Sequence, residues 1–239
     1  RFRLFCFPHA GAGASIFDSW SEKFPSDIEV ISIQLPGREN RLEEATVTRL
    51  KPLVQTLTPL FEEYLDVPFA FFGHSMGALL GFEVARQLRR QSWSVPNSLF
   101  VSAYRAPQIP DLELPIYKLP ETKFIKAISD YQGVSLENLQ NLESRQTLIS
   151  NLKADFEILQ TYFYTKEEPL ESHIHAFGGI ADPKVSRHEL AAWKQQTKFD
   201  FQLEMFNGNH FFLREAENEV INTIQKAIEI IVLPLSKAS

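Results

Sequence analysis

Apolar positions along this chain recur with two different periods. Six short runs rich in aromatic and branched residues, at about 2–7, 29–34, 68–72, 98–102, 173–177 and 201–206, predict strands. Between them, spacing near 3.6 residues predicts helices at about 16–24, 48–64, 76–90, 187–196 and 215–231. The last is well patterned, with Val220, Ile224, Ala227, Ile228 and Ile231 on one face. Such alternation predicts an α/β chain with a mainly parallel sheet wrapped by helices on both faces.

One stretch breaks the alternation. From about 108 to 164 there is no convincing strand, only helical pieces near 121–131, 136–152 and 153–162. The simplest expectation is a helical lid inserted over the C-terminal edge of the sheet, where ligands of open α/β sheets bind. Its apolar residues include Phe124, Ile125, Ile128, Tyr131, Phe156, Leu159 and Phe163. Phe124 and Phe156 are the candidates for substrate contact, with ordinary helix packing the alternative for each.

Bulk composition narrows the classes. The 239 residues contain no linker, repeat or low-complexity tract, so one domain over 1–239 is expected, lid included. A net charge of -6 gives no basic face for nucleic acid. The one cysteine, Cys6, sits inside an apolar run and reads as a small buried hydrophobe. With no stretch of 18 apolar residues and no signal peptide, a cytoplasmic protein without a membrane partner is expected.

The chemistry centres on Gly73-His74-Ser75-Met76-Gly77, placed between a predicted strand and a predicted helix. That context makes a nucleophile elbow, which exposes the serine at a helix N-terminus. A serine hydroxyl needs a base, and the base an orienting group. Of six histidines, His9 and His74 lie inside motif loops, His173 and His175 alternate along a strand, and His188 starts a helix. His210 instead follows a late strand on the rim that carries Ser75, and is the candidate base. Asp182 follows the strand at 173–177 and fits the order Ser, acid, His found in α/β-hydrolases. Asp111 is the competing acid, nine residues and two prolines beyond its strand. Oxyanion donors are expected from the backbone N–H of Met76 and, in the small-residue loop at 8–14, of Ala10. A phosphate-binding reading of that loop fails, because neither Gly-x-Gly-x-x-Gly nor a Lys-bearing P-loop is present.

Six ordered motifs give the chain a family likeness: Phe7-Pro8-His9-Ala10-Gly11, Gln34-Leu35-Pro36-Gly37-Arg38, the elbow, Lys153-Ala154-Asp155-Phe156, Gly178-Gly179-x-x-Asp182 and Gly208-Asn209-His210-Phe211-Phe212-Leu213. Together they resemble the type II thioesterases, free-standing α/β-hydrolases that accompany nonribosomal peptide and polyketide synthases, and the related medium-chain fatty-acyl thioesterases. The resemblance implies a triad on Ser75, Asp182 and His210, oxyanion donors on Met76 and Ala10, a helical lid, and no metal or cofactor. It also implies a thioester substrate on the phosphopantetheine arm of an acyl or peptidyl carrier protein. Ala12 and Asn209 replace glycines frequent in the family. Thioesterase domains fused to a synthase often carry the acid near 103–105, where Ala103-Tyr104-Arg105 has none. The expected role is therefore editing of stalled carrier arms; release of a medium-chain fatty acid or finished polyketide, and a non-catalytic binding module, are the alternatives. Since carriers of these pathways are usually acidic, docking requires a local patch: Arg86, Arg89 and Arg90, Lys118, Lys123 and Lys126, or Lys184 and Arg187.

Overall fold

Residues 1–129 and 142–235 are described by the computed structural model. Six of their segments form one sheet: β1 (Phe2–Phe7), β2 (Ile28–Ser32), β3 (Phe69–His74), β4 (Ser98–Ser102), β5 (His173–Gly179) and β6 (Phe201–Phe206). The order is β2-β1-β3-β4-β5-β6. Every neighbouring pair is parallel, with Leu4, for example, opposite Val30 on one side and Ala70 on the other.

The helices are α1 (Trp20–Lys23), α2 (Leu50–Leu57), α3 (Met76–Arg90), α4 (Glu121–Ser129), α5 (Leu142–Gln160), α6 (Arg187–Ala191) and α7 (Leu213–Leu235). The pleat sends alternate strand residues to opposite faces. Phe5, Phe7, Phe69, Phe71, Leu99, Val101, Ile174 and Ala176 pack in one core with α2, α3 and Trp193. Phe2, Leu4, Cys6, Ala70, Phe72, Phe100 and Phe177 pack in the other with Trp20 and the apolar face of α7. Both faces being covered, the inner strands read as continuous apolar runs, whereas β2 and β6 at the edges are partly exposed.

Several helices differ from the expected lengths. The stretch at 16–24 is a 3-10 turn, Ala14–Phe17, followed by the four residues of α1. The stretch at 48–64 is α2 continued by a 3-10 segment, Thr58–Tyr64, because Pro59 lacks the N–H that the next α-helical bond requires. The two helices expected at 136–152 and 153–162 are one, α5, since neither glycine nor proline interrupts it. Tyr131, residues 136–141 and the Ile231 side chain lie outside the described residues. Helices α4 and α5 share a small core of their own, formed by Phe124, Ile128, Ile149, Leu152 and Phe156.

The strand order reverses beside β1: the chain runs outward to β2, then returns across β1 to begin β3. The C-terminal ends of β1 and β3 therefore diverge, leaving the crevice in which open α/β sheets bind ligands. Ser75 and the loop at 8–14 are the two segments that leave those ends.

Candidate active site

Ser75 is the hinge between β3 and α3, held at φ 53 and ψ -116. That backbone geometry is strained for a non-glycine residue and persists because its surroundings dictate it. The Ser75 N–H donates to the Ser102 carbonyl of β4 at 2.7 Å. A Cβ on Gly73 would lie 2.2 Å from the Gly77 oxygen, and one on Gly77 would lie 2.1 Å from the Phe7 oxygen of β1. Both contacts are with backbone, so the tight turn admits only glycine at these two positions.

The loops after β5 and β6 run together toward this hinge. The Ile180 N–H donates to the Phe206 carbonyl and the Ala181 N–H to that of Gly208, at 2.8 and 2.9 Å. They bring three side chains into line: His210 Nδ1 lies 2.9 Å from Asp182 Oδ2, and His210 Nε2 lies 3.1 Å from Ser75 Oγ. With its proton on Nδ1, the imidazole donates to the carboxylate and accepts from the hydroxyl. The other carboxylate oxygen, Oδ1, accepts from the N–H groups of Lys184 and Val185 at 2.8 and 3.3 Å. The side chains of Asp182 and His210 are both buried, which strengthens these bonds by excluding competing water.

The remaining histidines stand outside this hydrogen-bonded line, although His74 packs beside His210 with ring centroids 5.7 Å apart. His9 Nδ1 faces the Ala10 carbonyl at 2.9 Å, and burial pushes its pKa down to about 4. His74 is fully buried with Nδ1 2.9 Å from Ser102 Oγ; burial, then the neighbouring His210, hold it well below the ordinary value. Both therefore stay neutral near pH 7. His173 approaches Asp200, His175 stacks on Phe100, and His188 is exposed on α6.

Of the expected oxyanion donors, Met76 N–H opens α3, where a helix leaves its first N–H groups without an internal partner. Ala10 lies on the β1 loop, followed by Gly11, whose N–H is already bound to Asp155 at 2.7 Å.

A cavity of about 380 Å³ opens beside Ser75 and His210, walled in part by Tyr104, Asp111, Phe156 and Lys184. Phe156 thus borders the site, whereas Phe124 is absent from the cavity lining and is fully buried in the α4–α5 core. Asp111 reaches the cavity, closer than its distance along the chain suggests. Its carboxylate is engaged by Arg105 at 3.0 Å and by the Glu113 N–H at 3.0 Å. Lys184 pairs with Glu113 on the same wall. The Tyr104 hydroxyl is raised to about 12 by burial and remains protonated. Tyr104, Arg105 and Glu113 also line the cavity without being singled out by the sequence; Tyr104 and Arg105 stand directly beyond β4, which was the available signal, whereas Glu113 left none. Among the described residues, no cluster of His, Cys, Asp or Glu could hold a metal ion, and no helix is long and apolar enough to cross a membrane.

Comparison with known proteins agrees with this architecture. The family model described as a thioesterase domain matches residues 2–228. Gramicidin S biosynthesis protein GrsT of Aneurinibacillus migulanus is 44% identical over 98% of this chain and 91% of its own. LgrE of Brevibacillus parabrevis, named a linear gramicidin dehydrogenase, is 39% identical over 95% and 87%. The solved structure of the type II thioesterase BorB, from the borrelidin biosynthetic cluster, superposes with a TM-score of 0.86 at 29% identity, covering 94% of this chain and 91% of that one. This chain accordingly belongs to the thioesterase domain family, and is a thioester hydrolase built on the α/β-hydrolase fold.

Proposed function

We propose that Ser75, His210 and Asp182 form a catalytic triad that cleaves acyl or aminoacyl groups from the phosphopantetheine arm of carrier proteins. The observation that carries this reading is the unbroken chain of hydrogen bonds from Asp182 through His210 to Ser75, at the edge of a cavity able to admit an acyl group. His210 Nε2 takes the Ser75 proton as Oγ attacks the thioester carbonyl. Negative charge on the carbonyl oxygen is met by the N–H groups of Met76 and Ala10. Collapse breaks the C–S bond, and the imidazolium gives its proton to the departing thiolate sulfur, releasing the thiol. Water then attacks the acyl-enzyme and loses a proton to His210, and on collapse His210 returns that proton to Ser75 Oγ as the acyl C–O bond breaks, freeing the carboxylic acid and the serine hydroxyl. No cofactor is consumed.

The stretch at 108–164 acts in this reading as a lid, with Phe156 on its inner wall. A single domain spanning the chain, acting in the cytoplasm beside its carrier partners, completes the proposal. Hydrolytic editing of nonribosomal peptide or polyketide carriers is the reading we favour, beside the relatives GrsT, named for gramicidin S biosynthesis, and BorB, a type II thioesterase of the borrelidin biosynthetic cluster. Release of a finished medium-chain acyl product would use the same residues.

An active-serine probe tests the triad that both hydrolytic readings share. A fluorophosphonate is expected to label Ser75, and His210→Ala is expected to abolish the labelling. A wild type that takes up no label, or labelling that persists in the His210 variant, would remove the proposal.

A further inference from the structure

Two of the six sequence motifs, at 34–38 and 153–156, contribute neither a member of the triad nor an oxyanion donor, yet they meet in space. Arg38 and Asp155 are both buried, at 5% and 1% exposure. Arg38 Nη1 donates to Asp155 Oδ2 and Nη2 to Oδ1, each at 2.9 Å. The same Oδ2 accepts the Gly11 N–H at 2.7 Å, and Arg38 Nη1 also donates to the Ala12 carbonyl at 2.9 Å. One turn earlier on α5, Asn151 Nδ2 donates to the Gly37 carbonyl at 2.7 Å. Gly11 lies so close to Leu152 that a Cβ on it would meet the leucine Cδ2 at 2.5 Å. Helix α5 therefore grips the loop after β1 and the loop after β2 together.

A buried ion pair is a weak means of stabilising a fold, because apolar residues of similar volume often do as well. What a bidentate pair supplies is direction: two parallel bonds fix the plane of the carboxylate and hence the backbone it holds. The backbone held here is Gly11–Ala12, immediately after Ala10.

We propose that Arg38 and Asp155 are positioning residues for acyl transfer, pinning the β1 loop so that the Ala10 N–H faces the developing oxyanion. Asp155 adjoins Phe156 on α5, so the seating of the insert and the completion of the oxyanion site are one event. This inference rests on the Ser75 acyl-transfer reading, and its test keeps the two apart. Kinetics on an acyl-N-acetylcysteamine thioester, inhibition by an alkyl trifluoromethyl ketone and fluorophosphonate labelling are compared in the wild type and in Asp155→Asn. Loss of one oxyanion donor costs about 10²–10³-fold in kcat, so its misplacement is expected to cost about tenfold or more. KM should stay within about twofold, and the ketone, whose adduct carries the oxyanion, should weaken by the same factor as kcat. A wild-type protein that the fluorophosphonate does not label refutes the underlying serine reading. A labelled wild type, with Asp155→Asn matching it in kcat and ketone affinity, refutes the positioning role alone, even if the variant melts lower. Arg38→Lys, which keeps a cation but gives up the two-pronged geometry, carries the same expectation should Asp155→Asn not fold. If neither variant folds, the pair serves the fold and the proposal fails.

Discussion

Replacing Asp182 by asparagine changes one atom and is expected to disable the site through the tautomer of His210. The loop at 182–185 dictates how the amide must sit. Lys184 and Val185 point N–H groups at Oδ1, so the asparagine oxygen belongs there and its NH₂ faces His210 Nδ1. The imidazole must then accept at Nδ1 and carry its proton on Nε2, where it cannot take one from Ser75. Turning the amide over would restore the tautomer but set NH₂ against two buried donors, at about 1–3 kcal/mol for each bond left unmade. The unproductive tautomer therefore prevails, and kcat should fall by about 10⁴-fold, or roughly 5 kcal/mol of barrier. Asp111→Asn is the control, since Asp111 lines the same cavity but is occupied by Arg105 rather than His210. The Asp111 carboxylate bonds to Arg105 and the Glu113 N–H and to no member of the proposed triad, so its loss should alter kcat/KM by no more than about fivefold, or roughly 1 kcal/mol of barrier. Steady-state hydrolysis of a small acyl thioester measures both. Comparable defects in the two variants, or the larger in Asp111→Asn, would refute the assignment of the acid.

Two further outcomes follow from burial and charge. His175 is lowered to about 4 by burial, so the unfolded chain binds the extra proton between pH 6.5 and 4. Stability is then intact above the unfolded value and falls with acid, by about 3 kcal/mol near pH 4. His175→Phe, which keeps the stack on Phe100, should flatten the decline in melting temperature between pH 7 and 4.5; an unchanged slope would contradict this. For the carrier, Glu83 and Glu167 engage Arg86 and Arg90, and Arg89 also pairs with Glu167, whereas Lys123 and Lys126 are exposed on α4. Reversing both lysines should lower kcat/KM severalfold on an acyl-carrier protein at low salt and spare a small thioester; equal effects on both substrates would exclude docking at α4.

The inner strands were legible because they are buried on both faces and β6 because it alternates, and β4 and β6 fall at the residues their pattern predicts, whereas β2, half-buried after Ile28, begins and ends earlier than its apolar run suggests. The elbow was legible because Gly73 and Ser75 answer to the geometry of the turn itself, and because the close approach of β1 at Gly77 leaves its mark as a glycine within the same pentapeptide. Contacts between distant segments left no such local mark. Arg38 and Asp155 stand 117 residues apart and meet only once α5 lies across two loops. Phe124 and Phe156 look alike as apolar helix positions, yet only Phe156 reaches the cavity, because α4 turns Phe124 into the core it shares with α5. Asp111 was set far from the rim by chain distance, whereas the turn beyond Ala106 and Ile109 folds it back against Arg105.

The central claim is that Ser75 carries the acyl group between a carrier thiol and water. Intact-mass spectrometry of an acylated carrier protein, followed over time with the wild type and with Ser75→Ala, tests it most directly. The expected result is loss of the acyl mass from the carrier, a transient acyl mass on the wild-type enzyme that maps to Ser75, and neither with the variant. Acyl loss from the carrier at the wild-type rate in Ser75→Ala, or an acyl adduct mapping to another residue, would contradict the account.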